Sequence, residues 1–151
     1  MDKIDRQLLA SLQEDASLSH AEIAERINLS PSQCSRRLQR LQQEGFIVRQ
    51  VSILNEAKLG LHVEAYVMVA LTTHVAGAAA SFRQRMAHIN EVVDFCSLTG
   101  DVDYLLHIIT KSLTTFTELI NEHILGKGDV ASVRSSIVLE RIKRSTALPL
   151  M

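Results

Sequence analysis

Five polar residues crowd into Ser30-Pro31-Ser32-Gln33-Cys34-Ser35-Arg36-Arg37-Leu38-Gln39-Arg40-Leu41, and the chemistry they offer is recognition of double-stranded DNA. Ser32, Gln33, Arg36, Arg37 and Arg40 supply hydrogen-bonding groups of the kinds that meet base edges and phosphate oxygens. Ser32 and Gln33 lie nearest the end that would enter a groove. Arg36 follows one turn later on the same face, and Arg40 is placed to reach backbone phosphate. On a helix, Cys34, Leu38 and Leu41 fall at i, i+4 and i+7, which leaves the five polar residues largely off that apolar stripe. Ser30 suits the N-cap, Pro31 the first helical position, and Gln33 completes a capping box. An ordinary amphipathic helix with a solvated basic face has the same pattern, so the decision passes to the elements around it.

Those elements are two more short helices. In Leu18-Ser19-His20-Ala21-Glu22-Ile23-Ala24-Glu25-Arg26-Ile27, Ser19 and Glu22 form a second capping box and Ile23, Ala24 and Ile27 an apolar face, ending at Asn28-Leu29. Asp2 caps a first helix, with Ile4, Leu8, Leu9 and Leu12 on its stripe. Short helices joined by three or four residues bury their apolar faces only by packing together, giving a trihelical domain with its third helix outward. Gly45 fits a helix C-cap, and the β-prone run Phe46 to Val51 predicts a small wing. Residues 1–50 carry seven Lys/Arg and seven Asp/Glu, yet residues 31–50 carry four Arg against Glu44 alone. Basicity is therefore concentrated on the presented helix, as a DNA reader needs, and with three elements in the right order DNA binding is expected, the alternative being a trihelical interaction or purely structural module.

The whole chain has 151 residues, 46% hydrophobic and 22% charged, with a formal net charge of −1. That composition fits a soluble globular protein with one medium core or two small ones, and near-neutrality excludes a polycationic, non-specific binder. No apolar run approaches a membrane span and no signal pattern opens the chain, so the expected location is cytoplasmic. Cys34 and Cys96 sit in apolar patterns without a CxxC partner and read as core thiols. His20, His62, His74, His88, His107 and His123 form no HExxH or paired-ligand spacing and read as surface or interfacial residues; no metal or cofactor is expected. No nucleophile–base pair or phosphate loop is visible, so an enzyme is not expected.

Three segments divide the chain: 1–50 for DNA binding, a hinge at 51–60, and a second domain at 61–151. Leu54 and Leu59 make the hinge too apolar for a free tether and are expected to pin it. The second domain reads as a strand (62–71), a helix (77–89) with Arg83 and Arg85 in solvent, strands at 91–98 and 102–110, a helix (112–125) and a long final strand (129–142). This β-α-β-β-α-β order is the ferredoxin-like arrangement, with both helices on one face of the sheet. The fold class is α+β, a winged helix-turn-helix followed by a ferredoxin-like domain. Apolar residues on both sides of 62–71 imply that a second subunit covers the other face, and a dimer matches a palindromic operator.

Taken from Asp2 to Pro149, the chain resembles the leucine-responsive regulatory protein/AsnC family of transcription regulators. The resemblance rests on Asp2-Lys3-Ile4-Asp5-Arg6-Gln7-Leu8-Leu9, Leu29-Ser30-Pro31-Ser32, the run Arg36 to Ile47, Thr99-Gly100-Asp101-Val102-Asp103-Tyr104-Leu105-Leu106, and Ile137-Val138-Leu139. It implies an effector-binding and oligomerisation domain, homodimers that assemble to octamers, and an amino acid as small-molecule effector bound between dimers. On that resemblance the effector residues are Gly100, Asp101 and Asp103, where a carboxylate can accept from an α-ammonium group, opposite the hydroxyls of Ser135 and Ser136. Val133-Arg134-Ser135-Ser136 departs from the threonine-rich strand of many relatives, which leaves an alternative: a ligand-independent architectural oligomer that wraps or bridges DNA.

Overall fold

A computed structural model describes residues 1–72 and 77–150. They form two compact units, Met1–Ile53 with Ile142–Met151, and Leu54–Arg141.

Three capped helices build the first unit: α1 (Lys3–Glu14), α2 (His20–Arg26) and α3 (Pro31–Gln43). Each begins with a reciprocal capping box, Asp2 with Asp5, Ser19 with Glu22 and Ser30 with Gln33, and α3 has Pro31 in its first turn. Such a cap contributes about 1 kcal/mol by satisfying N–H groups that the helix leaves open. Asn28 turns the chain between α2 and α3 at φ +55°, a left-handed conformation that Asn tolerates better than most residues. The core is the set predicted from periodicity: Leu8, Leu9, Ile23, Ala24, Cys34, Leu38 and Leu41, flanked by half-buried Ile4, Leu12, Leu18, Ile27, Leu29 and Ile47.

The expected wing strand is corrected: residues 47–54 form neither helix nor strand. Its start is instead fastened to α3, because Phe46 and Ile47 both donate their N–H groups to the Leu41 carbonyl, at 2.9 and 3.3 Å. In the hinge, Leu54 and Leu59, expected to pin it, are 62% and 56% exposed. A single 3-10 turn, Ala57–Leu59, ends at Gly60, whose φ of +75° is the left-handed region that glycine enters freely.

In the second unit, β1 (Val63–Leu71), α4 (Ala78–Met86), β2 (Val92–Ser97), β3 (Tyr104–Thr110), α5 (Leu113–Leu119) and β4 (Val130–Ile137) follow in the predicted order. The sheet order is β2-β3-β1-β4, with every neighbouring pair antiparallel. Val63, Ala65, Val67 and Val69 of β1 and Tyr104, Leu106 and Ile108 of β3 are buried against Phe82 and Met86 of α4 and Phe116 and Leu119 of α5. Both helices therefore cover one face of the sheet. Alternation places Glu64, Tyr66 and Met68 on the other, together with their register partners Ile109, His107 and Leu105.

The structure departs from the sequence reading at four further points. The 112–125 helix ends in a π turn, Ile120–Ile124, closed by Leu125 N–H to the Ile120 carbonyl at 2.8 Å. Strand β4 stops at Ile137 rather than 142, because its register partner there is Ala65, close to the start of β1. Residues 142–150 group with the first unit rather than with 61–141, and Gln13 and Leu148 exchange two hydrogen bonds, at 2.6 and 3.2 Å. Cys96 is exposed on edge strand β2 rather than in the core, whereas Cys34 is buried as expected. His74, expected on the surface, lies outside the described residues.

Candidate DNA-reading helix and effector turn

Helix α3 turns Cys34, Leu38 and Leu41 inward and leaves Ser32, Gln33, Arg36 and Arg40 exposed. The Gln33 Oε1 accepts from the Ser30 N–H and hydroxyl, at 3.2 and 3.1 Å. Its acceptor is thus consumed by the cap and its amide NH2 remains available as a donor. Ser32 meets the Ser30 hydroxyl at 3.2 Å. Among the described residues Arg36 makes no hydrogen bond or ion pair, so its five donors are open to an external partner.

Arg37 and Arg40 behave differently. Arg37 Nη1 donates to Asp2 Oδ2 at 2.7 Å and to Asp5 Oδ1 at 2.8 Å. Arg40 Nη2 donates to Asp5 Oδ2 at 2.6 Å, and its Nε lies 3.7 Å from Glu44. Arg37, expected among the DNA-binding residues, is thus engaged by carboxylates at the start of α1. Burial pushes the Asp5 carboxyl up, but the Asp2 N–H and the two guanidinium groups outweigh it and hold Asp5 below the ordinary aspartate value. The Asp5 N–H, then Arg37, lower Asp2 in the same way.

The second candidate region is the turn between β2 and β3. Gly100 adopts φ +112°, open to glycine and strained for other residues. Asp103 stitches this turn to the end of β1: its N–H donates to Val69 O at 2.9 Å and its Oδ2 accepts from Leu71 N–H at 2.7 Å. Asp101 is exposed and, among the described residues, its carboxylate has no partner. At the start of β3, Tyr104 packs with Phe82 and Phe95 in a three-ring cluster, at ring separations of 5.3 and 5.1 Å. Ser135 and Ser136 lie on β4, in register with Val67 and Tyr66. As consecutive strand residues they point to opposite faces. Strand β1 lies between them and β3, so two strand spacings, about 10 Å, separate their strand from that of the turn. One chain does not bring the serines and the turn together.

Sequence comparison fits both regions into one pattern. Residues 1–48 match the model of a winged helix-turn-helix DNA-binding domain, and residues 64–148 that of the Lrp/AsnC ligand-binding domain. The chain belongs to the Lrp/AsnC family. It is 33% identical over 150 residues to the DNA-binding transcriptional activator DecR of Escherichia coli K12, covering 99% of both chains. To the leucine-responsive regulatory protein of the same strain it is 30% identical over 148 residues, covering 98% of this chain and 90% of that one. A transcriptional regulator from Neisseria meningitidis, solved as a complex with L-Met, superposes with a TM-score of 0.94 at 32% identity, over 99% of this chain and 96% of that one. An AsnC family regulator from Agrobacterium tumefaciens gives 0.91 at 33%, over 99% and 97%. This Lrp/AsnC chain is accordingly a DNA-binding transcription regulator with a ligand-binding domain.

Three polar clusters of this Lrp/AsnC protein escaped the sequence reading, each because its members are far apart in the chain. The first joins Asp2 and Asp5 to Arg37 and Arg40. In the second, Arg85, expected in solvent, clamps both carboxylate oxygens of Asp129 at 2.9 and 3.0 Å and donates to the His123 carbonyl at 2.7 Å, tying α4 to the loop that feeds β4. The third lies on the sheet face away from the helices. There Glu64 bonds His107 and Arg141, Tyr66 stacks on the His107 ring at 4.7 Å, and Arg141 reaches the Tyr66 hydroxyl at 3.3 Å. Among the described residues no helix is long and apolar enough to cross a membrane, and no three or more His, Cys, Asp or Glu side chains gather as metal ligands.

Proposed function

We propose that this regulator reads duplex DNA with Ser32, Gln33 and Arg36, works as a homodimer or a larger assembly of dimers, and answers to an amino acid at the Gly100–Asp103 turn. The observation that carries the DNA reading is the unengaged guanidinium of Arg36, one turn along α3 from the free amide donor of Gln33. Arg40 keeps about half its side chain exposed, so a phosphate contact from its outer edge is compatible with its bond to Asp5. Region 1–53 supplies the reading head and 54–141 the effector and oligomer functions.

Three things support the oligomer and ligand parts. Tyr66, Met68 and Leu105 occupy the helix-free face of the sheet and are only half-buried, so apolar area stands ready for a second copy. The free Asp101 carboxylate suits an α-ammonium group, and the hydroxyl of Ser135 or Ser136 from another copy suits the α-carboxylate. The Neisseria meningitidis relative was solved with L-Met, an amino acid. No catalytic role is assigned, and the cytoplasm is the location that suits a DNA reader.

The test begins with duplexes enriched from a randomised library by the full chain. Gln33→Ala and Arg36→Ala should each lose about 5- to 150-fold of the preference for the enriched over a scrambled duplex. Equal preference in both variants rejects the reading residues. Sedimentation with a panel of amino acids should change assembly or DNA affinity for at least one, and Asp101→Ala should abolish that response. If no amino acid changes either property, the ligand-independent architectural regulator is the better account.

A further inference from the structure

Two of the three arginines on α3 are held by one carboxylate. Asp5 is 1% exposed, and its oxygens take Arg37 at 2.8 Å, Arg40 at 2.6 Å and the Asp2 N–H at 3.0 Å. Asp2 adds a second oxygen to Arg37 at 2.7 Å. The four groups carry two positive and two negative charges, so the cluster is neutral and adds nothing to the net field that α3 presents. Apolar packing along Cys34, Leu38 and Leu41 sets which face of α3 turns inward, and being non-directional it adds less to the fine adjustment of the helix's roll about its own axis. Charge-assisted bonds are directional, and two of them, three residues apart on α3 and anchored at a single buried point on α1, fix that roll.

We propose that Asp5, assisted by Asp2, is a positioning residue for DNA reading: it draws Arg37 and the inner edge of Arg40 away from the phosphates and sets the roll at which Ser32, Gln33 and Arg36 meet the groove. Free arginines on this face would each add a sequence-independent phosphate contact, raising affinity for every duplex alike. The clamp withholds that affinity and thereby widens the gap between the right sequence and the wrong one. The inference rests on α3 being the helix that enters the groove.

The full chain, a duplex enriched from a randomised library and a scrambled duplex of the same composition provide the test. Asp5→Asn keeps a carbonyl oxygen for the cap but removes the charge that holds both arginines. On the scrambled duplex its plot of log K against log salt concentration should steepen by about 1 to 2, one unit for each arginine released to phosphate. Its preference for the enriched duplex should fall by about tenfold or more, the scale of one good base contact. A purely structural carboxylate would weaken both duplexes and leave the slope alone, which overturns the proposal. Arg37→Gln keeps the Asp5–Arg40 bond, so it remains informative if Asp5→Asn does not fold. It should leave the salt slope unchanged while lowering preference, whereas a slope flatter by about 0.9 makes Arg37 a phosphate ligand and overturns the clamp. Arg36→Ala separates the two levels of the reading. If both it and Gln33→Ala keep their preference, α3 does not read with this face, and that failure is independent of what Asp5 does.

Discussion

The three helices of the first unit bury Leu8, Ile23, Cys34 and Leu41 among themselves, whereas the sheet of the second unit is covered by α4 and α5 on one face and left with Tyr66, Met68 and Leu105 half-buried on the other. The same contrast holds for function. Ser32, Gln33 and Arg36 share one exposed face of one helix, while the turn at Gly100 and the serines of β4 stand on strands that β1 separates. Under the proposed function, base recognition by α3 needs only one chain, whereas a ligand pocket shared by the turn and the β4 serines needs a second copy.

The sharpest way to break that contrast is to damage one core and watch the other. Phe82→Ala removes a fully buried ring from the second unit and should cost about 3–5 kcal/mol there, leaving the helices of the first unit to melt near their original temperature. Calorimetry resolves the two transitions, and an equal downward shift of both would mean that the units do not behave separately.

A somewhat smaller loss is expected from Arg85→Ala, about 3 kcal/mol, because it strands the largely buried Asp129 carboxylate without its partner. Denaturant unfolding measures it, and replacing both residues with apolar side chains of similar size should recover much of the loss.

Cys34→Ala should cost only about 1 kcal/mol through a small cavity in the first unit. The two thiols offer a companion measurement. Burial pushes the Cys34 thiol up, so a thiol reagent should modify exposed Cys96 in the native chain and Cys34 only on unfolding. Rapid labelling of Cys34 would make it a sensor instead of a packing residue.

The smallest effect is one of acidity. Asp2 and Asp5 are held below the ordinary aspartate value of 3.8, so their contribution to stability is complete above that value and is lost as pH falls through the depressed one. Thermal unfolding followed from neutral pH into acid should show the gap between the native chain and Asp5→Asn narrowing below 3.8. A constant gap would mean that the charge of Asp5 contributes nothing.

How much of this was legible in the sequence depended on distance along the chain. Ser30, Pro31 and Gln33 announce α3 because a cap is made by residues three apart, and the stripe of Cys34, Leu38 and Leu41 is equally local. Arg37 gave no sign of its role, since its partners Asp2 and Asp5 lie 35 and 32 residues earlier. The strand order was readable from alternation and turns, but the end of β4 was not, because the start of β1 sets it. Phe46 to Val51 carries strand-forming residues and still forms no strand, as propensity without a pairing partner does not make one. Cys96 looked like a core thiol because its neighbours are apolar, yet pairing places it on an edge strand.

The bonds between Gln13 and Leu148 span 135 residues and bring the segment after Arg141 back to the first unit. On the ribosome, α1 to α3 emerge first and must wait while the entire sheet unit is synthesised before that segment appears. Leu9, Leu12, Phe46 and Ile47, which line one cavity together with Leu148 and Leu150, lack those two neighbours through that interval. The helical unit is thus begun before the sheet unit and completed after it, so a chain halted within the sheet unit would carry α3 on an incompletely covered domain, the state in which chaperones and proteases find their substrates.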